Sequence, residues 1–143
     1  MATGGVQTKN TKALLAGLHL LVGAGAIGGG LAGMLNPQAP LGMPLELLQY
    51  SPFSDYLIPG LILFSVLGLG NLFGLYMLAR RSICWAHISS VLGLALIVFI
   101  VVQCLMLRLI DPLHVIFFGI GLLQTGLAMN ILREQRHFPG CLR

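Results

Sequence analysis

The side chains best able to do chemistry in this chain are two histidines and two amides set in apolar surroundings: His19, Asn71, His87 and Gln124. Each sits in a different uncharged, leucine-rich stretch. Counted along a helix from one end of those stretches, His19 lies ~9 Å deep, His87 ~5 Å, and Asn71 and Gln124 ~12 Å. One polar side chain per stretch therefore converges on the same half of a bundle. Neutral imidazole binds iron well, so His19 and His87 on separate helices have the residue types for axial ligation of a b-type haem. The four groups together also suit the head group of a quinone or polar lipid. The third reading is that they hydrogen-bond one another and pack helices, and residue type alone favours it, so no cofactor is expected. A second polar group, Gln103, Arg108, Asp111 and His114, gathers at the opposite end, where Arg108 and Asp111, three apart, are expected to pair.

Other chemistries lack their residues. No paired carboxylates, no Ser/His/Asp arrangement and no Gly-rich phosphate loop is visible, so catalysis is not expected. Proton-coupled transport usually needs an acid within the membrane, and the four acidic residues all lie outside the apolar stretches. Cys84, Cys104 and Cys141 form no CxxC and no metal-ligand spacing, and no disulfide framework is expected of them.

The elements that must carry these side chains follow from composition. Of 143 residues, 57% are hydrophobic and 8% charged, against about 25% charged in a soluble domain. Four apolar runs cover 13–35, 57–79, 84–107 and 112–132, each long enough to cross ~30 Å of hydrocarbon as a helix. They are continuous and leucine-rich with no alternation, which excludes barrel strands. The fold class is therefore an all-α integral membrane four-helix bundle, in a single membrane domain with no room for a soluble one. Ala24-Gly25-Ala26 behind Lys9 and Lys12 looks like a leader cleavage site, but the run is long enough to span and is read as a helix.

Charge sets the orientation. Lys9, Lys12, Arg80, Arg81, Arg133, Arg136 and Arg143 fall on one side and only Arg108 on the other. The positive-inside rule makes the basic side cytoplasmic, with both termini there and the protein multi-pass in the cell's inner (plasma) membrane. That distribution accounts for the net charge of +4 and leaves no reason to invoke nucleic acid.

Glycine contributes 19 residues, concentrated within the spans. Gly25, Gly29 and Gly33 repeat at four-residue intervals, Gly70 and Gly74 form another pair, and Ser89 and Gly93 a third. Such small faces allow close helix approach in lipid. They are expected to pack the bundle, or, for the first stripe, to meet another subunit. The outer loop, 36–56, has four prolines and is expected to hold a short interfacial turn at 44–50 with its leucines in the lipid boundary. Ser54 or Asp55 would cap the second helix, while Tyr50, Phe53, Tyr56 and Trp85 would anchor the two interfaces.

The run Ser51-Pro52-Phe53-Ser54-Asp55-Tyr56-Leu57-Ile58-Pro59-Gly60 resembles a group of small, uncharacterised bacterial four-helix membrane proteins with a proline-rich first outer loop. More distantly the chain is similar to DoxX-like proteins, some of which are membrane subunits of quinone-linked oxidoreductases. The resemblance implies the four-span fold and an accessory role near quinone chemistry, and transfers no site residue. Residues and resemblance together lead to a non-catalytic accessory or scaffold subunit, partnered by the bilayer and by other membrane subunits or itself. The alternatives are a lipophilic-ligand module (quinone, lipid or haem) and an oligomeric channel.

Overall fold

The computed structural model describes residues 3–82 and 84–135, with side chains over 9–82 and 84–134. Arg136, Cys141 and Arg143 lie outside the described residues. Helix α1 covers Thr3–Leu35, α2 Leu57–Ala79, α3 Trp85–Leu107 and α4 Pro112–Gln135. All four contain a stretch long and apolar enough to cross a membrane, and no strand occurs among the described residues. With no water available in hydrocarbon, only intra-segment hydrogen bonds can satisfy the backbone, which is why these runs are helices. α1 starts at Thr3, well ahead of its apolar run; hydropathy marks where the chain enters lipid, not where its helix begins.

The helices form two antiparallel hairpins, α1–α2 and α3–α4, packed side by side. Three apolar layers run along the bundle. At the basic end Leu15, Leu78, Trp85, Ala86 and Ile131 pack together. In the middle are Val22, Ala26, Leu67, Leu96 and Ile100. At the loop end Leu48 and Tyr56 close on Leu107. Outward faces are apolar as well, with Leu105 71% and Val91 65% exposed. So large an apolar surface would be an aggregation liability in water but is the natural exterior of a bundle in lipid.

Trp85 and Tyr56 correct the expectation of interfacial anchors. Trp85 is only 3% exposed inside the basic-end core, with the Lys12 ammonium 5.2 Å above its ring. Tyr56 is buried at the loop end, where its hydroxyl donates to the Pro44 carbonyl at 3.0 Å and its N–H to Pro37 at 3.0 Å. The loop folds back over the helix ends as two single 3₁₀ turns, Pro40–Gly42 and Leu45–Leu48. The leucines of the second turn accordingly face inward, Leu48 buried with Leu45 and Leu47 beside it, while Leu41 of the first stays exposed. Asp55 does serve the start of α2, its carboxylate accepting from Leu57 N–H at 3.0 Å.

The close seam between α1 and α2 is made by glycines that only partly match the four-residue stripe. A β-carbon at Gly33 would come within 3.1 Å of the Gly60 backbone, one at Gly30 within 2.6 Å of Phe64 N, and one at Gly68 within 2.8 Å of Ile27. Gly29 meets Leu63, whereas Gly25 makes only an ordinary contact with Phe117. Facing this seam, residues Leu63–Leu69 of α2 wind as a π-helix, a wider turn that is uncommon and confined to short pieces. Gly30→Ala is expected to cost about 1–3 kcal/mol through overpacking against backbone. Gly28→Ala, with nothing within 4 Å of its β-carbon, should change stability by less than about 0.5 kcal/mol. Unfolding titrations of the two variants in mixed detergent micelles check the contrast.

Candidate functional site

Between the basic-end and middle apolar layers lies one polar layer, with a residue from every helix. His19 comes from α1, Asn71 from α2, Ser89 from α3 and Gln124 from α4, and all four are 0% exposed. Each is flanked along its own helix by core residues of the two apolar layers, which holds its side chain against the bundle axis.

The protonation pattern follows from one backbone carbonyl. Asn71 Nδ2 donates to the Leu67 carbonyl at 2.8 Å, at the end of the π-helical stretch, which turns Asn71 Oδ1 toward the axis. That oxygen lies 2.8 Å from His19 Nδ1. An amide oxygen only accepts, so Nδ1 carries the proton and Nε2 is the acceptor. Ser89 Oγ then donates to Nε2 at 2.8 Å. Gln124 Nε2 donates to the same Asn71 oxygen at 3.1 Å. The 3.2 Å approach of Gln124 Nε2 to His19 Nδ1 is therefore two donors converging on one oxygen, not a bond between them. Both ring nitrogens of the imidazole are used. Gly74 makes room for it: a β-carbon there would lie 2.7 Å from His19 Cε1 and 2.8 Å from Leu92.

Of the four residues singled out by type, His19, Asn71 and Gln124 meet, and His87 does not. His87 is exposed, on a different face of α3 from the buried set Trp85, Ala86, Ser89, Leu92, Gly93, Leu96 and Ile100. Ser89 takes the place assigned to it. Phase carried that signal, since Ser89 repeats with Gly93 and Leu96 on the inward stripe and His87 falls between. With His19 saturated and His87 turned outward, these two imidazoles are not arranged to share an iron. Gly70 and Gly93 are tight against Leu92 and Thr125 respectively, and a β-carbon at Gly121, not anticipated, would lie 3.1 Å from the Gly93 carbonyl.

The loop-end polar group does not assemble. Arg108 is exposed, in the left-handed conformation that ends α3, and its guanidinium sits 4.0 Å over the Tyr50 ring instead of pairing with Asp111. Asp111 instead donates its backbone N–H to His114 Nδ1 at 3.2 Å. Gln103 is half-buried nearby. Cys104 is a free thiol, and Cys141 lies outside the described residues.

Comparison with family models, with curated proteins and with solved structures returned no match. The reading of the site therefore stands on its geometry.

Two buried acceptors, Gln124 Oε1 and Thr125 Oγ1, have no hydrogen-bond partner. Gln124 thus contributes one bond and leaves one group unsatisfied, whereas His19 joins Asn71 to Ser89. His19→Leu should cost about 1–3 kcal/mol, because it strips partners from buried polar groups. Gln124→Leu removes the unsatisfied oxygen along with its bond, and should cost less than about 1 kcal/mol. Equal losses for the two variants in denaturant titration would contradict this assignment.

Proposed function

We propose that the chain is a non-catalytic multi-pass protein of a plasma (inner) membrane, acting as an accessory or scaffold subunit of a larger membrane assembly. The observation that carries this reading is the closure of the polar layer on itself. His19, Asn71, Ser89 and Gln124 are bonded to one another across four helices, so they serve the bundle and present no acid, base or nucleophile to a substrate. What the molecule offers outward is apolar helix surface and a compact loop cap, which is the equipment for contact with lipid and other membrane helices.

The orientation belongs to the same proposal. Lys9, Lys12, Arg80, Arg81 and Arg133 share one end of the bundle, supporting cytoplasmic termini. Reporter fusions test it: a reporter active only in the cytoplasm should work at either terminus, and activity of an export-dependent reporter there would reverse the topology. The subunit reading is tested by purification from native membranes in mild detergent. It predicts a co-migrating membrane protein in stoichiometric amount; a chain that migrates alone contradicts it.

A further inference from the structure

At the loop end, a lateral groove of about 300 Å³ lies between α3 and α4. Its walls are Ile100, Cys104 and Leu105 on α3, Ile110 in the turn, and Val115 and Phe118 on α4. One further lining residue breaks the apolar pattern: His114, which is only 9% exposed. Its Nδ1 is taken by the Asp111 N–H, so in the neutral ring the proton sits on Nε2. That N–H has no protein partner. A largely buried histidine with one ring nitrogen unpartnered, in an otherwise apolar groove, points to a lipophilic ligand carrying an acceptor.

Depth narrows the chemistry. His114 is the third residue of α4, ~3 Å along the axis from its start, level with the glycerol-ester region of a bilayer. Ile100 lies seven residues, ~10 Å, before the end of α3, so the groove runs ~7 Å further into the hydrocarbon than His114. The turn that contributes Ile110 also carries Arg108, the one Lys or Arg at this end among the described residues. Stacking on Tyr50 uses the face of the guanidinium and leaves its in-plane donors for an anion. The order from surface to interior is cation, neutral donor, apolar channel, matching the phosphate, ester and chain of a phospholipid.

We propose that this groove seats one acyl chain of an anionic phospholipid, with an ester carbonyl on His114 Nε2–H and the phosphate at Arg108. The site lies at the opposite end of the bundle from the His19 layer and does not depend on the scaffold reading.

The test is native mass spectrometry of the full chain, delipidated in detergent and titrated with phosphatidylglycerol, with phosphatidylcholine of the same chains, or with a long-chain benzoquinone. One phosphatidylglycerol should be retained per chain at least fivefold more tightly than phosphatidylcholine, a factor set by one interfacial arginine. Arg108→Gln should erase that preference, His114→Leu should weaken both lipids, and Val115→Trp should fill the groove and abolish retention. Arg108 is exposed and outside the core, so its variant remains informative if the tryptophan variant does not fold. Equal retention of the two lipids, an unchanged preference in Arg108→Gln, or displacement by the quinone would overturn the proposal.

Discussion

A polar side chain buried in a bilayer has no water to turn to, and this bundle depends on how four of them satisfy that constraint. His19 and Asn71 belong to one hairpin, and Ser89 and Gln124 to the other. The bonds from Ser89 to His19 and from Gln124 to Asn71 therefore cross between hairpins. Apolar packing in lipid supplies little preference for one helix register over another, because lipid tails are as apolar as leucine. A slide or rotation of one hairpin would leave a hydroxyl, an amide and an imidazole unpaired in hydrocarbon. The polar layer thus selects the register, and the glycines at 70, 74 and 93 let the backbones come close enough to close it.

The π-helical stretch belongs to the same device. It ends just before Asn71, whose amide reaches back to the Leu67 carbonyl. That single bond decides which way the amide points, hence which nitrogen of His19 carries its proton and which hydroxyl can answer it. A backbone irregularity on one helix is in this way transmitted to the protonation state of a side chain on another.

Much of this was legible in the sequence, and the misses have identifiable causes. The four spans follow from uninterrupted apolar runs. His19, Asn71 and Gln124 were recognisable because polar residues at such depth are few and must find partners. Residue type points to His87 where helical phase does not, and Ser89 has the look of a small packing residue although its hydroxyl is the partner His19 needs. Gly30 and Gly60, which make the close approach of α1 to α2, and Gly121, which faces Gly93 between α3 and α4, fall outside the four-residue stripe because the stripe marks spacing along one helix and not which face a neighbour meets. Trp85 and Tyr56 are amphipathic rings near helix ends, a pattern equally suited to an interface or a capped core; the folded-back loop and Lys12 decide for the core. A π-helix and a left-handed Arg108 leave no mark in hydropathy at all.

The most direct measurement is a double-mutant cycle across the hairpins: unfolding free energies of the wild type, His19→Leu, Ser89→Ala and the double variant in bicelles. If the polar layer joins the hairpins as described, the two substitutions couple by about 0.6–1.7 kcal/mol, the range for interhelical hydrogen bonds in membranes. Additive effects, with no coupling, would contradict it.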